Sequence, residues 1–177
     1  MLARVDGFHS GFISALGDVW QLLFNQVDQL VNQTERPVWI SGHSLEGALA
    51  LLCGWRMNRH FVPVHQICTF GVPMIGNEVT AKALCSALPD KIYRYVDVGN
   101  LVPRLPTISL FSNSFSHCER EIMVGNINQY FATEKLAACA AAAVEGEIDG
   151  TVAQSIWDEL KKWMPSHMMG NYLGKLI

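Results

Sequence analysis

Apolar residues recur at helical spacing from Phe12 through Leu16, Val19, Leu23, Val27 and Leu30, and the pattern lapses at Asn32-Gln33-Thr34. A period of three to four residues predicts an amphipathic helix, after which Pro37 makes the chain extended. Trp20 and Phe24 on this helix read as core. Pro37 to Ser41 reads as a short apolar strand. From Leu45 the positions Ala48, Leu49, Leu52 and Trp55 return to the helical period, so a strand passes through a tight turn directly into a helix. Val64 to Phe70 predicts a second strand, Glu78 to Leu88 another helix, and Ile92 to Val98 a third strand. In the loop Gly99-Asn100-Leu101-Val102-Pro103-Arg104-Leu105-Pro106, two prolines forbid regular structure. Leu136 to Val144 reads as a weak alanine-rich helix. The last helical pattern, Ile156, Leu160 and Trp163, is expected to stop at Pro165 and leave His167 just beyond a helix end.

This alternation predicts an α/β fold, a mostly parallel sheet with helices on both faces and functional loops at the carboxyl ends of the strands. A length of 177 residues at 50% hydrophobic content suits one domain over residues 1–177. A net charge of -3 with 16% charged residues leaves no basic stripe for nucleic acid. Cys53, Cys68, Cys85, Cys118 and Cys139 form an odd set without Cys-x-x-Cys spacing and read as buried thiols rather than a disulfide framework. No charged and then apolar leader opens the chain, and its longest apolar run is far short of a membrane span, so a soluble, cytoplasmic protein is expected. Neither a metal-ligand cluster nor a phosphate-cradling loop appears, and no cofactor is implied.

Chemistry concentrates at Gly42-His43-Ser44-Leu45-Glu46-Gly47, where the strand meets the helix. A serine on such a turn is a nucleophile elbow: its hydroxyl is held exposed, and the next backbone N–H, here that of Leu45, faces the oxyanion that develops during acyl transfer. A hydrolytic serine needs a histidine to take its proton and an acid to orient that histidine. Of His9, His43, His60, His65, His117 and His167, only His117 and His167 follow the third strand. Chain order in doubly wound hydrolases favours His167 in the last loop, with His117 as the alternative.

Phe8-His9-Ser10-Gly11-Phe12, the segment Ile40 to Ala50, Thr69-Phe70-Gly71-Val72-Pro73-Met74-Ile75-Gly76-Asn77, Val102-Pro103-Arg104-Leu105-Pro106, and His167 with Tyr172 and Leu176 together resemble the ordered motifs of the class 3 lipases, a family of α/β-hydrolases. The resemblance implies hydrolysis of lipid carboxylic esters through an acyl-serine, with Ser44 as nucleophile, His167 as general base and Leu45 N–H as an oxyanion donor. His117, in Phe115-Ser116-His117-Cys118-Glu119, resembles a family motif outside the triad, and His9 and His43 match motif positions of structural kind.

The chain departs from the family pattern at three places. Asn100 stands where the family has the acidic member of the triad, and Asp97, three residues earlier, is the nearby carboxylate able to substitute. Glu46 replaces a close-packed glycine, and its charge opposes a nearby oxyanion unless it turns to solvent. The family's preceding strand, with the second oxyanion donor and the lid, would lie ahead of Met1, so the first strands of the sheet are expected to be missing and the Val38 to Ser41 strand to be an exposed edge. The expected partners are a lipid or small ester, a membrane or lipid-droplet surface, and a second copy pairing through that edge. A catalytically inactive binding or scaffold module on the same fold is the second reading, and a thioesterase or acyltransferase the third.

Overall fold

The computed structural model describes residues 7–8, 10–34, 36–100, 102–104, 115–118, 120–125 and 164–176. Helix α1 spans Ser10–Thr34, strand β1 Val38–His43, helix α2 Ser44–Arg59, strand β2 Val64–Phe70, strand β3 Gly76–Asn77, helix α3 Glu78–Ala87 and strand β4 Ile92–Asp97. A 3-10 turn at Val102–Arg104, strands β5 (Phe115–Ser116) and β6 (Arg120–Val124), and helix α4 (Met169–Leu176) follow. The readings of Leu136 to Val144 and of Ile156 to Trp163 lie outside the described residues.

Strands β1, β2, β4 and β6 form one parallel sheet in that order, and β3 pairs with β5 antiparallel in a small second sheet. The α/β alternation therefore produces the parallel sheet it predicts, with β1 at one edge of the described strands. β6 is absent from the sequence reading because Arg120 and Glu121 break its apolar run, and only Ile122, Met123 and Val124 carry a strand signal.

Helix α2 is the centre of packing. Ala48, Leu51, Leu52 and Trp55 meet Val64 and Ile67 of β2 on one side and Phe12, Leu16 and Trp20 of α1 on the other, all buried. The Arg56 guanidinium lies 4.1 Å over the Trp20 ring, and Phe24 packs partly buried against the same core. Val19 and Leu30, although apolar at helical spacing, are exposed: the buried stripe of α1 runs through Phe12, Leu16 and Trp20, with Leu23, Phe24, Val27 and Val31 packed partly buried beside it.

The cysteine expectation is corrected. Cys85 of α3 and Cys118, just after β5, form a disulfide with their Cα atoms 5.7 Å apart. Their 33-residue separation hid the pair, since spacing cannot reveal which thiols the fold brings together. Cys53 and Cys68 are free, and Cys139 lies outside the described residues. Among the described residues no helix is long and apolar enough to cross a membrane.

Register places the site. His43 is level with Phe70, and Phe70 with Tyr95, so β1, β2 and β4 end close together and their following residues, Ser44, Gly71 and the loop after Asp97, meet above the same edge.

Candidate active site

Strand β1 ends at His43 and α2 begins at Ser44 with no intervening loop. That turn is possible because Ser44 adopts φ 55, a left-handed conformation costing a non-glycine residue about 1–3 kcal/mol. Gly42 permits the close return of the chain: a Cβ there would collide with the Glu46 carbonyl. The position two residues after the serine does not need glycine, since Glu46 is exposed, while Gly47 makes the tight contact, where an added Cβ would lie 3.1 Å from Val72 Cβ. Glu46 is therefore open to solvent, which screens its charge. The Leu45 N–H lies in the first turn of α2, where unpaired N–H groups and the helix dipole favour an anion.

His167 closes a helical segment over residues 164–167, and Met168 separates it from α4. Pro165 lies inside that segment rather than ending the helix, because proline's fixed φ is helical and only its N–H is lost. The imidazole is buried, with Nε2 2.8 Å from Ser44 Oγ and Nδ1 3.2 Å from Asn100 Oδ1. The fold thus brings Ser44, His167 and Asn100 together across strand ends 123 and 67 residues apart in sequence.

Asp97 is placed elsewhere. Its fully buried carboxylate ion-pairs with Lys175, accepts from Asn171 Nδ2 at 2.6 Å and from Gly99 N–H at 2.8 Å, and makes no hydrogen bond to His167. The expectation that it substitutes for the acid is corrected for a physical reason: α4 supplies a cation and an amide that engage Oδ2, and the Gly99 N–H engages Oδ1. His117 is likewise remote from the serine, its Nε2 2.5 Å from the Pro103 carbonyl. His9 lies outside the described residues.

Three contributors were not read as site residues from the sequence. Tyr172, wholly buried on α4, accepts from Asn100 Nδ2 at 2.8 Å and from Asp97 N–H at 3.0 Å. Gly71, at φ 59, leaves the space that Asn100 and His167 fill. His43 tethers the other side, donating from Nε2 to the His167 carbonyl at 2.5 Å with the two rings 4.6 Å apart. The only sequence signal for Tyr172 was its five-residue distance from His167 within a family motif.

Burial, and then the neighbouring His43, lowers the His167 pKa from 6.5 to about 4. Burial, and then the Arg94 charge, does the same to His117, against the bond to Pro103. Among the described residues no carboxylate bonds to the His167 imidazole, and burial favours its neutral form.

A serine on a strand-to-helix elbow, in contact with a histidine delivered from the end of the chain, defines an α/β-hydrolase type of site. The chain belongs to the class 3 lipase family, whose model, "Lipase (class 3)", matches residues 4–110. The secreted mono- and diacylglycerol lipase MDL3 of Malassezia globosa is 31% identical over 102 residues, 55% of this chain and 33% of that protein. The secreted mono- and diacylglycerol lipase LIP1 of the same organism is 28% identical over 102 residues, 56% of this chain and 34% of that protein. Lipase II from Rhizopus niveus superposes with a TM-score of 0.59 at 30% identity, over 67% of this chain and 45% of that one. The chain thus spans about a third of the length of the curated relatives it matches. The cytoplasmic expectation is overturned by these relatives, which are named as secreted. The Cys85–Cys118 disulfide agrees with an oxidising compartment.

Proposed function

We propose that the protein is an extracellular lipid-ester hydrolase working through an acyl-Ser44 intermediate on acylglycerols or related esters. The observation carrying this reading is the 2.8 Å contact between His167 Nε2 and the hydroxyl of a serine held at φ 55. In the first half-reaction, Ser44 Oγ attacks the ester carbonyl carbon as its proton passes to His167 Nε2, and the resulting oxyanion is held by the Leu45 N–H. Collapse of that intermediate breaks the carbon–oxygen bond, and the departing alcohol takes the proton from His167. Water then attacks the acyl-serine with His167 as base, releasing the fatty acid and restoring Ser44.

The relatives' names support acylglycerols as the substrate class. Contact with a lipid surface is supported by exposed Leu45 and Met168, which directly follow the serine and the histidine, and by exposed Met164 and Leu173. Pairing of two copies through β1 is supported by its edge position and by Trp39, 58% exposed; sedimentation at several concentrations tests it, and a monomer throughout counts against it.

Asn100 favours the second reading, a lipase-fold binding module, because loss of the acid's charge costs a serine protease about 10⁴ in kcat. Hydrolysis of a short-chain chromogenic ester by the protein beside its Ser44→Ala variant decides between them. Equal rates overturn the hydrolase.

A further inference from the structure

The hydrogen bonds around Asn100 have one consistent assignment. Asn100 is fully buried, and a buried amide could in principle present either end to the histidine. The backbone N–H of Val102 can only donate, and it lies 3.0 Å from the same side-chain atom that faces His167. That atom is therefore the oxygen. An oxygen in an amide can only accept, so His167 Nδ1 carries the proton and Nε2 carries the lone pair that faces Ser44 Oγ. Turning the amide over would set its NH₂ against the Val102 N–H, two donors face to face in a buried site, and would also leave the histidine as the wrong tautomer. At the other end Asn100 Nδ2 donates to Tyr172 Oη, which the Asp97 N–H holds in place.

We infer that the Val102 N–H and Tyr172 are positioning groups that lock the Asn100 amide with its oxygen toward His167, so that an uncharged side chain selects the productive tautomer where relatives use an acid. The inference rests on the hydrolase reading for its purpose, though not for its geometry. It has a second consequence. Among the described residues the groups against the ring are Ser44 and His43 from the elbow and Asn100 from the loop after β4, with Tyr172 one bond further out on Asn100; Asp97 is held by Lys175, and Glu46 is exposed. None of these is a free carboxylate, so no counter-charge among the described residues holds the imidazolium, the direction in which burial also moves the ring.

The test uses ¹⁵N-histidine-labelled protein, whose imidazole shifts report tautomer and titration without any turnover. The expected result is an Nδ1–H tautomer at His167 and a titration midpoint at least one pH unit higher in Asn100→Asp. An Nε2–H tautomer, or an unmoved midpoint, overturns the inference whether or not the protein hydrolyses esters. Kinetics add a coupling test. Val102→Pro removes the N–H at the start of the 3-10 turn, where proline's fixed φ fits, and it should lower kcat at least tenfold, with KM little changed, in the native background. In Asn100→Asp the loss should be under threefold, because a carboxylate presents an oxygen whichever way it turns. Tyr172→Phe is the second variant, with the same ordering expected. Equal losses in both backgrounds would reduce these groups to packing and overturn the lock.

Discussion

Gly71 and Asn100 occupy space that only one of them can fill. A Cβ built on Gly71 would collide with Asn100 Nδ2 and come within 3.2 Å of His167 Nδ1, and the backbone there stands at φ 59. Glycine is the one residue that meets both demands without strain. Gly71→Ala should lower esterase kcat at least tenfold and cost about 1–3 kcal/mol of stability through strain and displaced packing. Urea unfolding and ester hydrolysis on the same preparation check both effects, and full activity in the variant would contradict the geometry.

The acid limb of the rate profile follows from the base. His167 must be neutral to accept the serine proton, and its folded pKa lies near 4 rather than 6.5, so kcat/KM should hold from neutrality down to about pH 4 to 5. Stability has the opposite sense in the same window. Both His167 and His117 have folded pKa values below their unfolded ones, so the unfolded chain binds more protons between pH 6.5 and 4. Their contribution is fully present above about pH 6.5 and is lost as the pH falls toward 4. Thermal unfolding against pH should show Tm declining in that interval, and His117→Gln should flatten the decline without moving the rate limb.

Asp97 acts on the site through architecture. Its buried carboxylate joins β4 to Asn171 and Lys175 of α4, the helix that also carries Tyr172. Asp97→Ala leaves Lys175 and Asn171 without their partner and should destabilise the fold by about 2–4 kcal/mol, the lower end because Lys175 reaches partly into solvent. Activity should fall in step with the loosened α4, with chemical denaturation of the same preparation reading the loss of stability.

Reduction of the Cys85–Cys118 bond frees a 33-residue loop, which chain-entropy arguments value at about 3–4 kcal/mol. The double Cys85→Ser, Cys118→Ser variant should show that loss in guanidinium unfolding, with the Ser44–His167 contact retained. Arg94 holds the Cys118 carbonyl through its Nε at 2.8 Å, so the segment keeps a second attachment.

Phe61 is 95% exposed at φ 61, in the turn between α2 and β2, so its side chain gains nothing that offsets the backbone strain. Phe61→Gly should raise stability by about 1 kcal/mol and leave hydrolysis unchanged.

Elements with a strong local period were legible in the chain. β2 falls on Val64–Phe70 as its Val-rich run predicts, and α3 begins at Glu78, where Asn77 caps it by accepting from the Thr80 N–H at 2.9 Å. Strand β6 was illegible because its first two residues are charged, and one of them, Glu121, is there to pair with buried Arg94 at 3.1 Å. At the site, Ser44 and His167 were readable from elbow chemistry and chain order. What Asn100 does was not, because it depends on a backbone N–H two residues on and a phenol 72 residues away. Asp97 misled for the same reason: a carboxylate near the right place says nothing of the lysine that arrives 78 residues later.

The order in which a ribosome delivers these parts has a consequence of its own. Ser44 and the helix behind it leave the exit tunnel early, whereas His167 and the Tyr172 brace emerge more than a hundred residues afterwards. A nascent chain can therefore set its nucleophile into the sheet while possessing no partner to activate it. The contact between Ser44 and His167 forms only with the docking of α4, so until then the elbow serine stands without its base.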